Sequence, residues 1–136
     1  MLKPGDIICL CGDLGSGKTT LVQGIAQGWG SMDAVSSPTF VLVNTYRKPG
    51  GENLFHLDAY RIENALEAED LDLEMMFEQG AFLAEWAERI DKALPKERLT
   101  ITLRWVADEQ RAMSLKSTGT HYEQMLADFQ RKVVGG

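Results

Sequence analysis

The chain has 136 residues, enough for one domain with a real core, and its 44% hydrophobic content is ordinary for a globular protein. Its formal charge of −6 argues against broad, unaided nucleic-acid binding and against docking on anionic membranes. No apolar run approaches the roughly 20 residues that cross a bilayer, and the N-terminus lacks the charged-then-apolar pattern of a signal peptide.

In chain order, Pro4-Gly5 reads as a turn. Asp6 to Cys11 is a short apolar run, as a buried parallel strand should be. Cys9 and Cys11 are the only cysteines. Two apart on one strand, they face the same side, which disfavours a mutual disulfide. No second Cys/His group completes a zinc site. The expectation is two buried free thiols in a reducing, cytoplasmic setting. After a glycine-rich stretch, Leu21, Val22, Ile25, Ala26 and Trp29 recur at helical spacing, with Gly28 and Gly30 available to end the helix.

A polar connection over Ser31–Ser36 and the segment Ser37-Pro38-Thr39-Phe40 lead into a β-rich run ending at Tyr46. The turn cluster Lys48-Pro49-Gly50-Gly51 separates it from Leu54–Asp58, so the two strands are expected to form an antiparallel hairpin. Arg61–Phe77 is acidic with apolar residues at Ile62, Leu66, Leu71, Met75 and Met76, which predicts one or two short helices. Its run of Glu67, Glu69, Asp70, Asp72 and Glu74 reads as a solvated face. Ala81–Glu85 is a third apolar run, and Trp86–Ala93 a short helix stopped by Pro95. Leu99–Trp105 alternates like a half-buried strand, and Ala112–Lys116 is a candidate last strand. Thr120 with Glu123 forms a capping-box pattern. The helix after it is expected to bury Tyr122, Met125, Leu126 and Phe129.

The chemistry concentrates at Gly12-Asp13-Leu14-Gly15-Ser16-Gly17-Lys18-Thr19, which fits the G-x-x-x-x-G-K-[ST] phosphate-binding loop. Glycines let the backbone turn its N–H groups onto phosphate oxygens. Lys18 reaches the β- and γ-phosphates, and the Thr19 hydroxyl suits Mg²⁺. The helix that follows aims its positive dipole end at the anion. Strand, glycine loop and helix are the context this motif requires. A nucleoside triphosphatase also needs a carboxylate on the metal side, usually at the end of a neighbouring strand. Two apolar runs end that way, at Asp58 and at Glu85. Either could serve Mg²⁺ while the other orients the attacking water, or each could cap the turn that follows.

Ser37 and Thr39 sit where phosphate-loop proteins keep a segment that senses the γ-phosphate, though their hydroxyls could equally stabilise a turn. His56, inside an apolar strand, reads first as a satisfied core histidine. Trp86 could stack or pack. Arg61 and Arg111 could contact phosphates or form surface ion pairs. An Asn-Lys-x-Asp element for guanine is absent, so ATP is the expected nucleotide. The chain also lacks the Arg-rich lid of small-molecule kinases. That favours an ATPase acting on a partner, or a nucleotide-gated binding module without turnover, over a kinase.

With these residues in hand, the chain resembles the TsaE (YjeE) family of bacterial P-loop ATPases. The motifs that carry the resemblance are Gly12 through Thr20, Ser37-Pro38-Thr39-Phe40, His56-Leu57-Asp58-Ala59-Tyr60-Arg61 and Glu85-Trp86, with a weaker match over Asp108–Leu115 that includes Arg111. The resemblance implies an α/β fold: a P-loop NTPase-like mixed sheet flanked by helices, in a single compact domain over residues 1–136. It implies an ATPase accessory factor that helps make threonylcarbamoyladenosine on transfer RNAs reading ANN codons. The partner would be the TsaB–TsaD heterodimer, with transfer RNA touched only indirectly. Lys18 and the loop would hold ATP phosphates, with Thr19 and Glu85 on Mg²⁺. Asp58 and the Ser37–Phe40 segment would act as switch elements, and Trp86 would lie near nucleotide or partner. The family has a leading segment of about two dozen residues ahead of the first strand, the size of a helix–strand unit. Here Met1 stands almost at that strand, so the segment is expected to be absent. Ala59 stands where the family has a larger apolar residue.

Overall fold

The computed structural model describes residues 2–12, 18–33, 43–60, 62, 72–107 and 110–134. Six strands form one sheet in the order β2-β3-β4-β1-β5-β6. They are β1 (Ile7–Gly12), β2 (Val43–Arg47), β3 (Asn53–Asp58), β4 (Gly80–Glu85), β5 (Arg98–Ala107) and β6 (Gln110–Thr118). The central four run parallel, and antiparallel partners close each edge: β2 against β3, and β6 against β5. Among the described residues three helices pack on the sheet, α1 (Lys18–Trp29), α2 (Leu73–Gln79) and α3 (Thr120–Val134), together with a 3₁₀ segment over Ala87–Ala93. This is the α/β class that the alternating patterns predict, including the Tyr46/Leu54 hairpin.

Alternation along the strands splits the core in two. On one face Ile8, Leu10, Leu54, Ala81, Leu83, Leu99 and Ile101 meet Val22, Ala26 and Trp29 of α1 and Tyr122 of α3. On the other, Ile7, Cys9, Phe55, Leu57, Phe82 and Ala84 meet Ile62, Leu73, Ala87, Ile90 and Leu94. Cys9 is buried, Cys11 packs half-buried beside it, and both are free thiols on one face, as two residues apart on a strand demand. β1, β3 and β4 bury both faces over most of their length, all six residues of β4 among them, whereas β5 alternates buried with more exposed residues.

Gly80 opens β4 for a steric reason. A Cβ there would stand 2.4 Å from the Asn53 carbonyl oxygen and 2.9 Å from the Phe55 ring. At the other end of the parallel strands, Gly12 leaves β1 with φ of 144°, a conformation that favours glycine.

Several local expectations change. Gly28 lies inside α1, and the helix ends at Gly30, whose N–H donates to the Ala26 carbonyl at 3.1 Å. Within the Arg61–Phe77 stretch, α2 buries Leu73, whereas Met75 is 42% exposed. Residues 63–71, and with them Leu66, Leu71, Glu67, Glu69 and Asp70, lie outside the described residues. The short helix after β4 is 3₁₀, and Trp86 stands outside it in a left-handed conformation. Glu123 N–H donates to the Gly119 carbonyl, so Gly119 holds the cap position and Thr120 is already helical. On α3, Tyr122 is buried and Met125 packs half-buried, but Phe129 is 49% exposed.

Candidate functional site

β1 and α1 bracket the glycine loop. Gly12 is the last residue of β1 and Lys18 the first of α1, while Asp13, Leu14, Gly15, Ser16 and Gly17 lie outside the described residues. The Lys18 ammonium is buried. Its Nζ donates to the Gly12 carbonyl at 2.5 Å and lies 4.0 Å from the centre of the Trp86 ring. A buried cation needs such compensation, and a carbonyl plus an indole face supply it. Thr19 is half-buried on the first turn of α1 and Thr20 is exposed.

The two candidate carboxylates end neighbouring strands. In the parallel β3–β4 register Asp58 stands directly opposite Glu85, and Glu85 also stands opposite Leu10 of β1. Leu54, His56 and Asp58 alternate on one side of β3, and Ala81, Leu83 and Glu85 on one side of β4. Leu54, Ala81 and Leu83 belong to the α1 face, so the strand pattern puts both carboxylates on the face that carries Lys18. Glu85 is buried, and its Oε2 lies 2.5 Å from His56 Nε2. Asp58 is half-buried and accepts the Tyr60 N–H at 2.9 Å, the turn-capping arrangement that its strand-end place allows. Burial pushes the Asp58 carboxyl above the ordinary range, and the nearby Glu85 charge adds to this. The Tyr60 N–H, His56 and Lys18 pull the other way.

Trp86 packs against the core and meets a neighbouring ring at a tilt of 53°. It touches the Ile7-side core, its N–H donates to the Leu10 carbonyl at 3.1 Å, and its ring meets Tyr60 at 5.1 Å. Its φ of 58° is an outlier for a bulky residue, of the kind held in place at functional sites. Arg89 lies 5.5 Å over Tyr60 and 5.9 Å over Trp86, completing an aromatic and cationic rim.

The structure thus brings Gly12, Lys18, Thr19, Asp58, Glu85 and Trp86 to one end of the parallel strands. Ser37, Thr39 and Arg61 lie outside the described residues. The backbone of Arg111 pairs with Trp105 on β5, one strand from β1 and at the same end of the sheet. Sequence reasoning missed three contributors: the tie from His56 to Glu85, Tyr46 behind His56, and Arg89. His56 shares a strand face with Asp58 two residues on, which was the available signal. Nothing local marks Tyr46 or Arg89.

The donors fit a nucleotide with its metal. Mg²⁺ takes hard oxygen ligands, one or two from protein and the rest from phosphate and water. A hydroxyl on the first turn of α1, from Thr19, and a carboxylate at a strand end are oxygen donors of that kind, and Lys18 at a helix N-terminus suits a phosphate.

The family model described as "Threonylcarbamoyl adenosine biosynthesis protein TsaE" matches residues 1–113. A Bacillus subtilis protein named "tRNA threonylcarbamoyladenosine biosynthesis protein TsaE" is 42% identical over 130 residues, covering 95% of this chain and 80% of the relative. A Streptomyces coelicolor protein of the same name is 39% identical over 128 residues, covering 90% and 86%. The crystal structure of YdiB from Bacillus subtilis superposes with a TM-score of 0.77 at 36% identity, covering 96% of this chain and 80% of that one. The strand-end carboxylates, the lysine that opens α1 and these matches along most of the chain agree: the chain belongs to the TsaE family.

Proposed function

We propose that this protein binds ATP with Mg²⁺ at the Gly12–Thr19 loop. It hydrolyses ATP as an accessory factor in the synthesis of threonylcarbamoyladenosine on transfer RNA, acting in the cytoplasm on a TsaB–TsaD complex. The observation that carries the reading is the placement of Lys18 at the head of α1, on the sheet face that Asp58 and Glu85 also share.

Each residue then has a role. Lys18 moves from the Gly12 carbonyl and the Trp86 ring onto β- and γ-phosphate oxygens, exchanging neutral acceptors for charged ones. Thr19 and Glu85 hold the metal side. Bound Mg²⁺ supplies charge neutralisation across the phosphates. Asp58, close enough to Lys18 to feel its charge, orients the attacking water. The water oxygen bonds to the γ-phosphorus as the bridge to the β-phosphate breaks, leaving ADP and phosphate, with one water proton kept on the phosphate and the other released to solvent. By their places in the sequence Ser37, Thr39 and Arg111 are the further candidates for contact with the phosphates, and Trp86 with Tyr60 and Arg89 forms the rim toward nucleotide or partner. With a net charge of −6, the protein reaches transfer RNA through its partner and not alone.

The test is ATP hydrolysis by the isolated protein, with and without Mg²⁺, with TsaB–TsaD, and with a panel of small acceptors. The expected result is slow Mg²⁺-dependent hydrolysis that the partner accelerates. Phosphoryl transfer to an acceptor would make the protein a kinase, and tight nucleotide binding without turnover under any condition would make it a gated binding module.

A further inference from the structure

A line of three polar side chains crosses the α1 face of the sheet. Tyr46 on β2 stands opposite Leu54 on β3, so His56 is its diagonal neighbour two residues on. His56 stands opposite Leu83 on β4, so Glu85 is again the diagonal neighbour two residues on. The line therefore climbs toward the Asp58/Glu85 end as it crosses three strands. Tyr46 Oη lies 2.8 Å from His56 Nδ1, and His56 Nε2 lies 2.5 Å from Glu85 Oε2. Tyr46 is 2% exposed, His56 0% and Glu85 4%.

The chemistry of the acceptors fixes the protons. A carboxylate only accepts, so Nε2 carries the hydrogen. In the neutral ring Nδ1 then accepts from the Tyr46 hydroxyl. The imidazole has both nitrogens satisfied, and the carboxylate sets which one donates. Anchoring Oε2 fixes the plane of the Glu85 carboxylate and hence the direction of Oε1. Buried polar groups of this kind add little stability over apolar side chains of the same size. What they add is orientation, as in the outer partners that aim metal ligands.

We propose that His56, with Tyr46 behind it, is a positioning residue that holds the Glu85 carboxylate at the angle needed to serve the metal side of the bound nucleotide. The inference rests on the reading of Glu85 given above.

Two measurements test it. In the metal-free protein, long-range ¹H–¹⁵N spectra should show His56 protonated at Nε2, with its resonances shifted by Tyr46→Phe and by Glu85→Gln. An Nδ1-protonated ring overturns the proposal. Calorimetry with a non-hydrolysable ATP analogue, with and without Mg²⁺, then reads the gain in affinity that the metal provides. His56→Gln should reduce that gain about tenfold, the usual effect of losing such an outer partner, while leaving metal-free affinity in place. Tyr46→Phe, which keeps the ring and its packing, should give a smaller loss in the same direction. In a Glu85→Gln background neither change should add anything. Equal losses with and without Mg²⁺, or an unchanged gain in Tyr46→Phe and His56→Gln, would make His56 a packing residue and leave the proposed function standing. A wild-type protein with no metal gain and a silent Glu85→Gln would instead remove Glu85 from the metal side, and this inference with it.

Discussion

At the start of β1, Asp6 meets His121 of α3; at the far end of β4, Glu85 meets His56. The chemical pair is the same, with Nε2 to oxygen distances of 2.7 Å and 2.5 Å. The surroundings differ. The His121 side chain is 57% exposed, whereas His56 is fully buried. Asp6 spends its second oxygen on the Lys3 N–H, and Tyr122 beside it accepts the Ile7 N–H at 2.9 Å. That end is a clasp that ties α3 to the first strand. At the Glu85 end the tyrosine backs the histidine itself, and the carboxylate lies beside Asp58 and Leu10 at the strand ends. A buried carboxylate whose histidine is half in water fastens; one whose histidine is out of water and backed by a third group aims.

The largest expected effect separates the two ends outright. Lys18→Ala should weaken ATP binding by at least about tenfold, the scale set by a single charge-assisted hydrogen bond to phosphate. Calorimetry of ATP binding checks it. An unchanged affinity would leave the Glu85 end with no more claim to a nucleotide than the Asp6 end.

Glu85→Ala comes next, and it acts twice. It leaves the His56 N–H buried without its acceptor, at a cost of about 1–3 kcal/mol in denaturant titrations. It should also remove the Mg²⁺ dependence of nucleotide binding together with turnover. Asp58→Ala should cost turnover with ATP affinity nearly intact. If the two variants exchange phenotypes, their roles are reversed.

The difference between the two ends was only partly legible in the sequence. β1, the loop and α1 announced themselves because their signals are local: an apolar run, a glycine–lysine spacing, then Val22, Ala26 and Trp29 at helical period. Glu85 and Asp58 were legible as strand ends. Their adjacency was not, because it depends on β3 and β4 pairing in parallel across residues 59–79, and no local pattern states strand order. The same reason hid His56 from Glu85, 29 positions away. Trp86 read equally as stacking or packing because its left-handed backbone turns it out of the strand pattern while its ring stays against the core. Phe129 was misread because an amphipathic stripe states which residues share a helix face, not how far along that face the core reaches.

β1 joins the two ends, and its thiols report on how tightly it is held. Burial pushes Cys9 up to about 11. Burial and then the neighbouring Glu88 push Cys11 up to about 12. Both values are raised in the folded state, so their stabilising contribution is complete below the ordinary thiol value of 9.0 and is lost as pH rises through 11 and 12. The native protein should resist maleimide at pH near 8. Its unfolding free energy should decline as pH climbs above about 9, and a Cys9→Ala/Cys11→Ala double variant should flatten that decline. Rapid labelling of both thiols in the native state would show that β1 opens.

The smallest expected effect is the most discriminating for the comparison. His121→Ala removes one partner of the buried Asp6 carboxylate, but the histidine is more than half in water, so the substitution should cost about 1 kcal/mol. Asp6 keeps the Lys3 N–H at 2.8 Å, and the Tyr122 hydroxyl keeps the Ile7 N–H, so neither of these groups is stranded. Nucleotide affinity, with or without Mg²⁺, should not change, because β1 separates His121 from Lys18 by its full length. Denaturant titration and ATP calorimetry on the one variant read both quantities. A small stability loss with unaltered binding fits a clasp. A change in Mg²⁺-dependent affinity would mean that strain at the start of β1 reaches Leu10 and Gly12, and that the two ends of the sheet work as one device.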